Sequence, residues 1–243
     1  SQISELLGRL SVQATAPLSP TLRRGNRIRT IQASLAIEHN TLSVEQVTAI
    51  MEGKRVMGLP REIQEVRNAL ATYEQLDQWN PASLADLLEA HASLMQGLVD
   101  DAGTLRRQGV GIYRDDQLVH MAPPASQLNR LMKQLLGWLD STDAHPLIAS
   151  CVFHYEFEFI HPFSDGNGRM GRLWQSLILS RWKPLLAYLP VETLIHQRQE
   201  QYYQALSAAD RASDATAFVE FMLNALLQAL QDLHNHAASD QVG

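Results

Sequence analysis

Apolar residues in this chain recur at a helical period almost from end to end, and that period breaks only once. Residues 27–38 put Ile28, Ile31 and Leu35 on one face, with Ile37 nearby. A capping box, Ser43-Val-Glu-Gln46, opens a second helix that ends near Gly53. Pro60 suits the first turn of a third, carrying Ile63, Val66, Leu70, Tyr73 and Leu76. Asn80-Pro81 closes it and starts a fourth, running to about Gly97 through Leu84, Leu87, Leu88, His91 and Leu94. Helical spacing returns over 126–140, 146–160, 167–182, 195–209 and 216–234. The break lies between Gly103 and Pro124. There Val110 and Ile112, then Leu118, Val119 and Met121 after Asp115-Asp116, read as two short strands and a turn, closed by Pro123-Pro124. The expected fold class is all-α, a helical bundle with one small β-hairpin.

Composition supports a folded chain. With 45% hydrophobic and 19% charged residues among 243, enough apolar surface can be buried to offset ordering entropy, which excludes disorder as the main state. A formal charge of −6 argues against wholesale nucleic-acid binding. The single Cys151 excludes an internal disulfide and a Cys-rich zinc module, and suits a reducing cytoplasm. Its place on an apolar helix reads as an inert buried thiol. No apolar run would span a bilayer, and the opening SQISELLGRL lacks the basic and apolar regions of a secretory signal. The expectation is a cytoplasmic protein without a membrane or nucleic-acid partner. Arg23, Arg24, Arg27 and Arg29 read as a solvated helix face.

The segment that carries chemistry runs from His161 to Arg172. An apolar helix with Ile148, Val152, Phe153 and Phe157 arrives at His161, and Pro162 stops it. Gly166, Asn167 and Gly168 form a turn of little bulk before a second apolar helix with Leu173, Trp174, Leu177 and Ile178. That turn lies at a helix N-terminus, where free N–H groups and the positive dipole end favour an anion. Arg169 and Arg172, three apart, reach one ligand from one face. Asp165 can hold Mg²⁺ against phosphates, and His161 can take a proton near neutral pH. Together they describe phosphoryl or nucleotidyl transfer.

At these residues the sequence resembles the Fic family, whose motif reads H-x-F-x-[D/E]-G-N-G-R-x-x-R. His161, Phe163, Asp165, Gly166, Asn167, Gly168, Arg169 and Arg172 fill every specified place. The resemblance covers roughly residues 30 to 230. It implies a Fic-type bundle and AMPylation, the transfer of AMP from ATP to a Ser, Thr or Tyr hydroxyl of a target protein or of the chain itself. His161 would deprotonate the hydroxyl. Asp165 would hold Mg²⁺ on the α- and β-phosphates. The Asn167 side chain and nearby amides of Gly166 and Gly168 would stabilise the α-phosphate, Arg169 would assist the β-phosphate and Arg172 would bind the γ-phosphate. Relatives that phosphorylate carry Lys after Gly-Asn and lack the second arginine, so Arg169 and Arg172 favour nucleotidyl transfer.

Upstream, Ser34-Leu-Ala-Ile-Glu38-His39-Asn40 is similar to the family's inhibitory motif [S/T]-x-x-x-E-[G/N], with His39 as the departure. The resemblance implies that Glu38 pairs with Arg172 and blocks productive γ-phosphate binding. Glu38 also ends its helix, where the dipole disfavours a negative charge and calls for a partner. The hairpin resembles the family's flap: its run Val110-Gly111-Ile112-Tyr113 would hold an extended target segment by main-chain pairing. Leu105-Arg106 stands where relatives often have Phe-Arg. Tyr202 and Tyr203 look like paired tyrosines that contact the nucleoside, and Asp210 falls where relatives carry Asn against adenine.

The expected organisation is one compact domain: N-terminal helices over 1–97 with an inhibitory helix at about 27–39, a core over 98–234 with a flap at about 104–124, and a frayed tail at 235–243. A homodimer stays open. Three other readings stay on the table. The same site could remove AMP; Glu38 could make the chain a nucleotide sensor with little turnover; and His154, Glu158 and His161, at i, i+4 and i+7, could bind a metal for a hydrolase.

Overall fold

A computed structural model describes residues 19–114 and 117–239, with the side chains of 112–119 and 236–239 outside that description. Ten α-helices, one hairpin and three short 3₁₀ segments account for the regular structure among the described residues. In chain order the α-helices and strands are α1 (Pro20–Ile37), α2 (Val44–Met51), α3 (Pro60–Glu74), α4 (Leu84–Leu94), β1 (Gly111–Arg114), β2 (Gln117–Met121), α5 (Leu128–Ser141), α6 (Pro146–Ile160), α7 (Asn167–Trp182), α8 (Val191–Gln197), α9 (Gln199–Ala212) and α10 (Thr216–Ser239). The all-α class with one hairpin is observed.

α6 and α7 form the spine, because both are apolar on more than one side. Phe153, Phe157, Ile160, Met170, Leu173, Trp174 and Leu177 face a core shared with α1 to α5. Leu147, Cys151, Tyr155 and Leu179 face a second core completed by α8, α9 and α10. α1 belongs to both, through Ile28, Ile31 and Leu35 on one side and Ile37 on the other. The spine is therefore fixed from two directions, and the turn between its helices carries the motif.

Several boundaries differ from the sequence expectation. α1 begins at Pro20, with Ser19 as N-cap accepting from the Leu22 N–H at 3.1 Å. α3 stops at Glu74, and Leu76 falls in a separate 3₁₀ turn, Leu76–Gln78. α4 starts at Leu84 because Ser83, not Pro81, supplies the N-cap. The span expected at 195–209 is two helices, α8 and α9, broken at Arg198. Residues 235–239 continue α10, where a frayed tail was expected; 240–243 and 1–18 lie outside the described residues. The arginine cluster is more than a solvated face: the Arg27 guanidinium lies 5.1 Å from the ring centres of both Tyr73 and Tyr188, and Arg24 pairs with Glu52 at 2.9 Å.

β1 and β2 are antiparallel, pairing Gly111 with Met121, Ile112 with His120, Tyr113 with Leu118 and Arg114 with Gln117. The register shifts after Ile112, which bends the hairpin. Val110 accepts a further bond from the Ala122 N–H at 3.1 Å. Asp115 and Asp116, the expected turn, lie outside the described residues.

Candidate active site

α6 ends at His161, which adopts a left-handed conformation at φ 49°. A non-glycine residue is strained there, so its surroundings must hold it. Arg106 does so. Its Nε donates to the His161 carbonyl at 2.7 Å, and its other nitrogens donate to the carbonyls of Gln108 and Pro123 at 2.7 Å and of Ile160 at 3.3 Å. One buried guanidinium thus ties the C-terminal end of α6, the negative end of its dipole, to both feet of the hairpin.

The His161 ring is mostly buried, and burial pushes its pKa down to about 4, so the ring is neutral at pH 7. Its Nδ1 lies 3.4 Å from the Glu158 carbonyl, which can only accept. The proton therefore sits on Nδ1, and Nε2 carries the free lone pair.

The turn after His161 is braced from within. Asn167 accepts from the Phe163 N–H and donates to the Phe163 carbonyl, each at 2.9 Å. The side chain expected at the α-phosphate is thus engaged with the loop backbone and only 2% exposed, so the main-chain N–H is what Asn167 offers the cradle. Gly166 sits at φ 84°, and a Cβ there would come within 2.7 Å of the Met95 sulfur. From α4, His91 stacks on Phe163 at 3.6 Å. It accepts from the Gly103 N–H at 2.9 Å, so its Nε2–H donates to the Asp165 carbonyl at 3.0 Å. The sequence reading placed His91 on an apolar helix face without seeing this support, and nothing in its spacing marks it.

The charges converge on the α7 N-terminus. Asp165 meets Arg169 at 3.1 Å and Arg61 at 3.3 Å, and also accepts from the Gly166 N–H. Arg169, 5% exposed, meets Glu65 at 3.5 Å and leaves its Nε buried without a partner. Arg61 and Glu65 of α3 were missed by sequence reasoning, because a helix one hundred residues upstream carries no local signal of its partner. Arg172, 2% exposed, donates to Ser34 Oγ at 3.1 Å, to the Ser34 carbonyl at 3.0 Å and to Glu38 Oε1 at 2.7 Å. A Cβ on Gly168 would collide with the same Glu38 oxygen, so that carboxylate lies against the cradle itself.

The geometry of α1 shows how the Ser34–Asn40 segment ends its helix. Glu38 is the C-cap and His39 follows at φ 70°. The His39 N–H bonds the Ala36 carbonyl and the Asn40 N–H the Leu35 carbonyl, a Schellman closure whose left-handed position favours Gly or Asn. His39 accepts that position and the closure is intact.

The remaining expected residues divide. Val110, Gly111 and Ile112 lie at the start of the hairpin. Tyr202 is 2% exposed, in the second core, with its hydroxyl 3.1 Å from His154 Nε2; Tyr203 beside it is only half-buried. Asp210 accepts from the Tyr155 hydroxyl at 3.0 Å and meets His120 at 3.2 Å. The His154 and His161 set does not converge as a ligand shell, since both His154 nitrogens are taken by Gln175 and Tyr202. Cys151 is buried, and burial pushes its thiol up to about 12, as expected of an inert group.

The chain is similar to known proteins in sequence and in fold. The model of the Fic/DOC family matches residues 81–179. The protein adenylyltransferase Fic of Culex quinquefasciatus is 31% identical over 230 residues, covering 88% of this chain and 42% of that protein. The chain thus spans less than half the length of that relative. The solved structure of Fic-1 from C. elegans superposes with a TM-score of 0.79 at 23% identity, over 98% of this chain and 72% of that one, a likeness of fold. A crystal structure of a Fic family protein from Desulfovibrio desulfuricans G20 is 64% identical, with a TM-score of 0.94 over 97% of this chain and 73% of that one. The chain belongs to the Fic family.

Proposed function

We propose that the chain is a protein adenylyltransferase that moves AMP from ATP to a hydroxyl of a target protein or of itself, held back by Glu38. One observation carries the reading: the Glu38 carboxylate lies against Gly168 and Arg172, at a helix N-terminus built to take an anion. A carboxylate in that place competes with a terminal phosphate. Relatives named protein adenylyltransferase Fic support the choice of reaction.

In this reading the neutral His161 ring takes the target's hydroxyl proton on Nε2. The freed oxygen attacks the α-phosphorus and pyrophosphate leaves. The N–H groups at the start of α7 receive the charge that develops, already oriented before reaction. Arg169, paired with Asp165 at 3.1 Å, would assist the β-phosphate. Arg172, released from Glu38, holds the γ-phosphate. The carboxylate of Asp165 fits Mg²⁺, which commonly takes one or two carboxylates beside phosphate oxygens. Mg²⁺ held there would neutralise phosphate charge, and Arg61, which is exposed, would turn aside for it. The hairpin holds the target by main-chain pairing, and Tyr203 is the better placed of the two tyrosines to meet the nucleoside.

Incubation with α-labelled ATP and Mg²⁺ tests the proposal. Glu38→Gly should label itself or a lysate protein, and His161→Ala in that background should abolish the label. Tight ATP binding without labelling by Glu38→Gly would overturn the transferase reading in favour of a sensor. Among the described residues no helix is long and apolar enough to cross a membrane.

A further inference from the structure

Glu158 is a buried carboxylate beside His161 that the reaction above leaves unused. It stands one turn before His161 on α6, with its side chain 12% exposed. Oε2 lies 4.0 Å from His161 Nδ1, the nitrogen that carries the proton. Oε1 is buried with no hydrogen-bond partner. The nearest other nitrogen, His154 Nε2 at 3.8 Å, already accepts from the Tyr202 hydroxyl. A carboxylate with an unmet oxygen is costly to keep in such a place. Room for it comes from α7: a Cβ on Gly171 would lie 2.8 Å from Oε1. Two positions on facing helices, Glu158 and Gly171, are therefore fitted to one another.

We infer that Glu158 is a positioning residue for His161, holding the ring by its Nδ1–H and balancing the imidazolium that forms when Nε2 takes the target's proton. The inference rests on the reading of His161 as the base. No proton moves to Glu158 in the step. The hydroxyl O–H breaks and its proton joins Nε2, the oxygen bonds to the α-phosphorus as the α–β phosphoanhydride bond breaks and pyrophosphate leaves, and the imidazolium later returns its proton to water. A carboxylate that orients a histidine and offsets its charge is the logic of a catalytic triad. At rest Nδ1 is nearer the Glu158 carbonyl, at 3.4 Å, than the carboxylate, at 4.0 Å; in this proposal the carboxylate takes up the Nδ1–H when substrate seats the ring, since catalytic hydrogen bonds are often long in resting sites.

Charge from every side bears on the pair. Glu158 faces Arg172 and Glu38, which act in opposite directions, and burial dominates, pushing it up to about 7. His161 faces Arg106 and His120 on the hairpin side and Glu38 from α1, and burial again dominates. Below about pH 7 the carboxyl is protonated and cannot offset an imidazolium; above it the carboxylate is ready.

The test uses the Glu38→Gly protein and single-turnover labelling from α-labelled ATP with Mg²⁺, from pH 5 to 9. Glu158→Gln should lower the rate roughly 100-fold above pH 7.5, at the low end of general acid–base effects, and remove the rise centred near 7 while leaving ATP affinity unchanged. Glu158→Asp should recover part of the rate. Gly171→Ala, which displaces the carboxylate and keeps its charge, should reproduce the loss. Nitrogen-15 NMR of the His161 ring should show the Nδ1–H tautomer giving way to a mixture in Glu158→Gln. Unchanged rate, profile and tautomer in that variant would overturn the inference. Labelling that survives His161→Ala would instead overturn the base assignment, and the two failures are distinct.

Discussion

Glu38 and Arg172 are 134 residues apart in sequence and 2.7 Å apart in space. The contact joins a helix C-cap to the second arginine of the motif. Its two members differ: the Arg172 side chain is 1% exposed, whereas that of Glu38 is 35% exposed. The arginine is part of the core, and the glutamate meets its charge from the half-open side. Ser34 holds the same guanidinium through its hydroxyl and its carbonyl, so Arg172 keeps two partners when Glu38 leaves.

Glu38→Gly should therefore fold. The expected cost is about 1–2 kcal/mol, since a half-open ion pair is lost from a guanidinium that keeps other acceptors. Nucleotide should restore that stability, because a ligand that binds only the folded state raises its apparent melting temperature. Differential scanning calorimetry with and without ATP and Mg²⁺ checks both parts, and an unstable variant that ATP does not rescue would count against the site.

His39 holds a left-handed position at φ 70° that glycine adopts freely, and its side chain is exposed. His39→Gly should stabilise the protein by about 0.5–1 kcal/mol, the relief of strain less the entropy glycine adds to the unfolded chain. Chemical denaturation should show a higher midpoint at an unchanged slope.

Arg106 bonds four carbonyls across the hairpin feet and the end of α6. Arg106→Ala should cost about 3 kcal/mol and loosen the hairpin more than the rest of the chain. Hydrogen exchange of β1 and β2 is the measurement. Arg106→Lys should rescue little, because an ammonium cannot span the same carbonyls.

Glu192 is 2% exposed, and burial pushes its carboxyl from 4.5 up to about 7. The folded state then binds a proton that the unfolded state has lost between those values. Its contribution is fully present below about 4.5 and disappears as pH rises through about 7. Glu192→Gln should match wild type near pH 4.5 and exceed it at pH 8 by on the order of 2–3 kcal/mol. Glu158 adds a second slope of the same sign, and His154, pushed from 6.5 down to about 3 by burial, adds an opposite one between those values that overlaps the carboxyl window, so the comparison of variant with wild type is what isolates Glu192. Melting temperatures across that range for wild type and variant separate the terms.

Legibility followed the range of the interactions. α6 and α7 have the expected limits, Pro146–Ile160 and Asn167–Trp182, because proline and glycine punctuate them locally. The break at Arg198 escaped notice because it answers to packing against α1 and α10 and not to a breaker residue. Ser19-Pro20 was a readable start signal that the apolar period, beginning later, concealed.

By itself the sequence determined the bundle, the hairpin and the motif turn, since periodicity, caps and breakers act over a few residues. It also marked Glu38 and Arg172 as partners through family resemblance. Only the tertiary structure decided that Asn167 braces the loop, that Tyr202 belongs to the core, and that Arg106, His91, Arg61 and Glu65 support the site. It alone set Glu158 opposite Gly171. Those roles depend on which faces meet when helices pack, and a long-range meeting leaves no spacing in the chain that could announce it.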